Sequence, residues 1–330
     1  MKVDVEAVEE ELARIQRELS HSEVRTSLFN LVVMSPGAEQ GMADDMLNYL
    51  LGKRAARVIH VANSETAESR IDVSARCFVD REHKSVCFQE IIITNGRDGA
   101  GGAPGTWIPL LVRDIPTYVL WLDRLTDRET LFAHVRSQAD KILVDADHCT
   151  GLGDEPDEVI AILRRIVVEE AVPVADFSWR RLRPYRRLAA LAFNGERAEW
   201  LEDIARVLVT GLPAMSVRYL GLWLAERLGW TPVAPFRFRD LHGRLVEIES
   251  AGGDGPCDVC ISVVLDDERS VDIRASENGC ADLEYPGGTD EQVVTVPSRG
   301  EILLEEVDAV YADRLFRDAL ACASLKPHAQ

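Results

Sequence analysis

The chain has 330 residues, 37 Lys and Arg against 56 Asp and Glu, a formal net charge of -19 and 46% hydrophobic residues. That length admits two domains, each able to bury its own core, and the composition excludes collagen-like, small disulfide-scaffold and disordered chains. The negative field repels phosphate backbones and anionic lipid, so neither nucleic acid nor membrane is expected as a partner of the bulk surface, whereas a basic protein suits it.

The N-terminus, Met1-Lys2-Val3-Asp4-Val5-Glu6, is acidic with no apolar stretch behind it, and no window reaches 18 consecutive apolar residues. A cytoplasmic chain is expected. Val5, Val8, Leu12, Ile15 and Leu19 recur at helical spacing and predict an amphipathic helix within residues 1–24. Residues 27–34 form a β-rich run stopped by Ser35-Pro36-Gly37, and residues 42–51 read as a helix. Residues 57–61 predict a second strand. The alternation over 70–79, the turn at 80–83 and the run over 85–93 predict an antiparallel hairpin attached to the sheet. A glycine-rich loop at 96–105, a short helix at 107–112, a strand at 117–121, a helix at 128–139, a strand at 141–144 and a helix at 157–170 follow.

This alternation predicts an α/β fold: a Rossmann-like open sheet, mostly parallel, covered by helices over residues 25–172. The second half changes rhythm. Helices are expected at 185–193, 197–209 and 216–228, strands at 244–249, 258–265, 271–275 and 292–296, and closing helices within 301–323. Residues 173–330 therefore read as an α+β domain with an antiparallel meander.

Seven cysteines scattered over a long chain predict mostly reduced thiols. Cys257-Asp-Val-Cys260 has the spacing of a redox pair or of half a zinc site, but it stands at a strand start, where residues three apart face opposite ways; incidental thiols are the third reading. Asp145-Ala-Asp147-His148-Cys149 follows a strand and suits either a metal or a turn. The loop at 96–105 could cradle phosphate, yet it lacks Gly-x-Gly-x-x-Gly spacing, and a surface loop is the rival. No nucleophile signature is present. No catalytic set, cofactor or metal is expected. The strongest anomaly is Asp176-Phe-Ser-Trp-Arg-Arg-Leu-Arg-Pro-Tyr-Arg-Arg187, rich in arginine within an acidic chain. Arginine and aromatic residues suit protein interfaces and anion sites, and arginines paired with the chain's own carboxylates are the alternative.

Read in full, Asp176-Phe177-Ser178-Trp179-Arg180-Arg181-Leu182-Arg183-Pro184-Tyr185-Arg186 resembles the Asp-Leu-x-Trp-x-Arg-Leu/Ile-x-x-Trp-Arg signature of the glucose-6-phosphate dehydrogenase assembly protein (OpcA) family. The stretch from Ile108 to Trp121, containing Asp114 and Pro116, is similar to that family's Pro-Leu-Leu-x-Pro-Asp-Leu/Ile-Pro-Val segment ending in Trp. Weaker echoes at 57–61, 142–145 and 223–227 keep the same order, while Tyr185 replaces the usual Trp and Arg113 a usual Pro. The resemblance implies a non-catalytic protein that binds glucose-6-phosphate dehydrogenase, promotes its active oligomer or raises its activity, and so feeds NADPH production by the oxidative pentose phosphate pathway. On that reading Trp179, Arg180, Arg183, Tyr185 and Arg186 are candidates for the partner interface, and Asp114, Pro116, Trp121 and Asp176 for structural positions. A rival is a sugar-phosphate or nucleotide-binding enzyme whose glycine loop at 96–105 and arginines at 180–187 meet over an anionic substrate. A third reading makes Cys257 and Cys260 a redox sensor gating the activator.

Overall fold

The computed structural model describes residues 4–19, 27–64, 68–79, 85–96, 104–126, 129–251, 258–276, 278–309 and 311–323. They form two compact units between which the chain passes repeatedly: residues 1–154, 172–177 and 298–312 make the first, and 155–171, 178–297 and 313–330 the second.

The first unit contains one sheet of seven strands: β1 (Phe29–Pro36), β2 (Ala56–Asn63), β3 (Arg70–Val79), β4 (Ser85–Asn95), β5 (Thr117–Trp121), β6 (Lys141–Val144) and β7 (Val174–Asp176), in the order β3-β4-β2-β1-β5-β6-β7. Every neighbouring pair is parallel except the β3–β4 hairpin. Without β3 this is the doubly wound Rossmann order, reversing between β1 and β5. The strand sequences explain the layering. β1 and β2 are buried almost throughout, as parallel strands covered on both faces must be, whereas β3 alternates as an edge strand does. Helices α1 (Val5–Leu19), α2 (Gln40–Leu50), α3 (Pro104–Trp107), α4 (Glu129–Arg136) and α5 (Ala146–Gly151) belong to this unit.

The second unit begins with α6 (Pro156–Arg164), which runs into a π-helical turn (Arg165–Glu169). After α7 (Phe177–Arg181) and α8 (Arg183–Ala192), a 3-10 segment (Gly195–Asp203) leads to β8 (Ile204–Thr210) and α9 (Ala214–Leu228). Strands β9 (Thr231–Ala234), β10 (Arg237–Arg239), β11 (Leu245–Ala251), β12 (Val259–Leu265), β13 (Ser270–Ala275), β14 (Cys280–Tyr285) and β15 (Gly288–Val293) complete a sheet of order β15-β14-β13-β12-β8-β11-β10-β9. β12 to β15 form an antiparallel meander, whereas the strand expected at 244–249, β11, pairs parallel with β8 instead of joining it. α8 packs on β13 and β14, and α9 on β11. The chain then returns to the first unit as α10 (Arg299–Asp308) and ends in the second as α11 (Arg314–Cys322), packed on α9 and α6.

α10 opens with a reciprocal capping box between Ser298 and Glu301, and Gly300 lets it approach α2, since a Cβ there would lie 2.5 Å from that of Tyr49. Its C-terminal end is pinned by Lys141, buried on β6. The ammonium donates to Glu306 Oε2 at 2.6 Å and to the carbonyls of Glu306 and Ala309 at 2.9 and 3.0 Å. Three acceptors satisfy all three ammonium protons, which is what makes a lysine tolerable in that interior.

Several expectations are corrected. The helix expected at 197–209 is a 3-10 segment followed by β8, a central strand. Ile204, Val207, Val209 and Thr210 favour a pleated surface, and pairing with β11 and β12 decides the conformation. The helix expected at 107–112 is instead where α3 ends, followed by a 3-10 turn at Ile108–Leu110. β7, β9, β10 and β14 were not foreseen, and the run at 292–296 is the end of β15 and the chain beyond it. Four of the six described cysteines, Cys149, Cys260, Cys280 and Cys322, are thiols, in keeping with the expectation of mostly reduced thiols, and the other two are paired. Cys77 and Cys87 face each other across the β3–β4 ladder, with Cα atoms 4.1 Å apart, and form a disulfide.

Candidate functional site

The arginine-rich run begins where β7 ends. Asp176 is buried and accepts from the backbone N–H of Ala146, at the start of α5, at 3.5 Å. Phe177 enters the core of the first unit, and from Ser178 the chain belongs to the second. Trp179 is only 1% exposed. Its ring meets Phe316 of α11 at 5.3 Å and, edge-on, Tyr219 of α9 at 6.0 Å, while Phe316 and Tyr219 meet each other at 5.6 Å. The indole N–H donates to Asp313 Oδ2 at 3.0 Å. Asp313 also caps α11, accepting from Phe316 N at 3.2 Å through Oδ1, and pairs with Arg180 at 3.3 Å. One carboxylate thus fixes a tryptophan, an arginine and a helix start.

Arg186 lies over the Trp179 ring, its Cζ 3.4 Å from the ring centroid. Burial is the main reason its pKa is pushed down to about 10; Arg180 and Arg183 lower it further, against an opposing effect of Asp313. Tyr185, one residue earlier, is buried toward the sheet and lines a cleft of about 500 Å³ with Asp258, Ser276, Asn278 and Thr295. Burial first, then the Asp258 charge, raises its hydroxyl pKa. Of the five residues expected at an interface, Trp179, Tyr185 and Arg186 are therefore interior. The largely apolar indole leaves water when its N–H has an acceptor in Asp313, and it offers Arg186 a ring face to stack on. Arg180 is half-buried and Arg183 exposed, as is Arg187.

The second resembling stretch serves the first unit. Asp114 adopts a left-handed backbone, φ 64°, just before β5. The Pro116 carbonyl accepts from Asn30 N at 2.8 Å. The buried Asn30 side chain donates to Val112 O and accepts from Val112 N, each at 2.9 Å, and so ties the loop to β1. Trp121 is fully buried, edge-on to Phe132 at 4.9 Å. Sequence reasoning missed Asn30, because a lone asparagine in an apolar strand carries no pattern.

Cys260 is half-buried on β12, whereas Cys257 and residues 97–103 of the glycine loop lie outside the described residues. Asp145 caps α5, accepting from His148 N at 3.4 Å, and pairs with Arg299 at 2.7 Å. Burial, then the charges of Asp176, Asp145, Asp154 and Asp123, holds the Cys149 thiol well above its usual pKa, and its Sγ donates to the Asp123 carbonyl at 3.4 Å.

The doubly wound order raises the question of a dinucleotide, whose pyrophosphate sits at the helix start after β1. Here that segment is Ser35-Pro36-Gly37-Ala38-Glu39-Gln40-Gly41. Pro36 lacks an N–H, and a Cβ on Gly37 would lie 3.0 Å from the Asn63 carbonyl, so Gly37 serves close backbone packing. Glu39 is the N-cap residue of α2, its side chain makes no capping hydrogen bond there, and its carboxylate lies 3.9 Å from His148 Nε2. An acidic residue at the N-cap position and a segment without the Gly-x-Gly-x-x-Gly spacing do not fit a dinucleotide's diphosphate.

Comparison with known proteins gives two family matches. Residues 48–164 match the model described as the glucose-6-phosphate dehydrogenase subunit N-terminal domain, and residues 172–320 the one described as its C-terminal domain. Relatives provisionally named OxPP cycle protein OpcA include one from Synechococcus elongatus, 28% identical over 285 residues, covering 77% of this chain and 62% of the relative. Another, from Nostoc punctiforme, is 28% identical over 286 residues, covering 76% and 60%. The chain thus spans about three-fifths of the length of these relatives. Among solved structures, a dehydrogenase from Chromobacterium violaceum matches at 11% identity and a TM-score of 0.45, over 90% of this chain and 93% of that one. The 3-ketoreductase KijD10 from Actinomadura kijaniata, with TDP-benzene and NADP in its open conformation, matches at 12% and 0.47, over 91% and 96%.

Proposed function

The chain belongs to the glucose-6-phosphate dehydrogenase assembly (OpcA) family, and we propose that it is a non-catalytic cytoplasmic protein that binds glucose-6-phosphate dehydrogenase, favours its active oligomer and raises its activity, in support of NADPH production by the oxidative pentose phosphate pathway. An activator that binds only the active state of its partner shifts the population by its differential affinity; a tenfold activation needs about 1.4 kcal/mol of coupling.

The observation that carries this reading is the division of labour within the arginine run. Trp179, Tyr185 and Arg186 are buried and make α7 and α8 rigid, so that Arg180, Arg183 and Arg187 are held on a fixed helical surface. Guanidinium groups on a rigid element suit carboxylates of a protein partner, since less side-chain freedom is lost on contact. The rival enzyme reading has less support, because Glu39 stands where the α/β unit would take a diphosphate.

Sedimentation of the dehydrogenase with and without this chain tests the proposal. A complex that contains both proteins and a larger dehydrogenase oligomer is expected, and Arg183→Ala with Arg187→Ala weakens it several-fold while the fold is kept. Independent sedimentation at micromolar concentrations of both proteins overturns it.

A further inference from the structure

Arg186 has one feature that packing does not explain. The residue is 8% exposed, and its Nη1 is buried with no hydrogen-bond acceptor among the described residues. The carboxylate that acts on it is already committed. Asp313 Oδ2 receives Trp179 Nε1 and the Arg180 guanidinium, and Oδ1 receives the N–H of Phe316. Arg218, the other buried arginine of this unit's helical layer, is ion-paired through Nε with Asp157 at 3.1 Å although its Nη1 also lacks an acceptor among the described residues, whereas Arg186 has no such pair among them. Arg183 stands one helical turn before Arg186 on the same face of α8, and Arg180 shares Asp313. A guanidinium kept from water with an unmet donor is destabilising, so such a group is built in where something else completes it.

We propose that Arg186, stacked on Trp179 and flanked by Arg180 and Arg183, is a binding site for a small dianionic oxyanion of the phosphate class. Each guanidinium offers a planar fork that matches phosphate oxygens. Two negative charges on one compact group offset like charges on neighbouring arginines, which a single carboxylate does less well. An enclosed guanidinium also suits a small free anion better than a side chain projecting from a protein surface. The proposal does not depend on which protein is the partner, and it gives the arginine run a second role: sensing a phosphorylated metabolite or phosphate itself.

The test uses the full chain alone. Inorganic phosphate is titrated against chloride at constant ionic strength, with heat of binding and tryptophan fluorescence as readouts. Saturable binding in the millimolar range or tighter is expected, with sulfate competing and glutamate at equal concentration not competing. Arg186→Gln abolishes binding, and Trp179→Phe retains it while losing most of the fluorescence change. General stabilisation by phosphate is common to all variants and cancels in the comparison. Should Arg186→Gln fail to fold, Arg183→Gln, an exposed position, raises the midpoint several-fold. No saturable binding by the native chain, undiminished binding by Arg186→Gln or, in its place, by Arg183→Gln, or equal competition by glutamate overturns the proposal.

Discussion

Trp179 in the second unit and His60 in the first show how single residues stabilise the unit that contains them. Trp179 joins two aromatic contacts, a hydrogen bond to Asp313 and the stacked Arg186. Trp179→Ala should destabilise the chain by roughly 3–5 kcal/mol in urea unfolding, and Trp179→Phe, which loses chiefly the hydrogen bond, by about 1 kcal/mol. His60 on β2 is fully buried, 2.7 Å from Ser35 Oγ through Nε2, and burial pushes its pKa from 6.5 to about 4. Below pH 6.5 the unfolded chain takes up a proton that the folded one refuses until about 4, so stability falls as pH falls through that window, by about 3 kcal/mol for this group alone. Unfolding of His60→Asn between pH 7 and 4 should show a correspondingly shallower decline; an identical slope in both proteins contradicts the assignment.

At the scale of elements, the Lys141 and Glu306 pair joins β6 to α10 across a long sequence separation. Lys141→Met leaves Glu306 buried without its counter-ion and should cost roughly 3–5 kcal/mol, whereas adding Glu306→Leu restores part of it, the two carbonyls remaining unmet. Chemical denaturation of both variants decides this. The same pair marks where reading the sequence reached its limit. Strands at 57–61, 117–121 and 141–144 were legible because an apolar run between turn residues has few alternatives. Nothing local announces that a helix at 299–308 returns to the first sheet, since that is a matter of tertiary pairing. β8 was misread for a related reason. Its apolar residues also fit a helical period, and the strand is decided by its neighbours and by Gly211, whose φ of 78° and 1.7 Å virtual Cβ contact with the Asp258 carbonyl admit no other residue. The arginine run was visible as an anomaly of composition. Which of its side chains face inward was not, because the helices α9 and α11 that bury Trp179 lie far along the chain.

For the whole molecule, the proposed role is action on glucose-6-phosphate dehydrogenase rather than on a substrate of its own. Its first unit carries Glu39 at the N-cap position of α2, and its second carries Arg183 and Arg187 exposed on α8. The most direct measurement is the initial rate of NADPH formation by the same organism's glucose-6-phosphate dehydrogenase over a range of substrate, with and without an equimolar amount of this chain. A lower apparent KM or a higher kcat is the predicted result; identical kinetic constants, together with no co-elution of the two proteins, contradict the account.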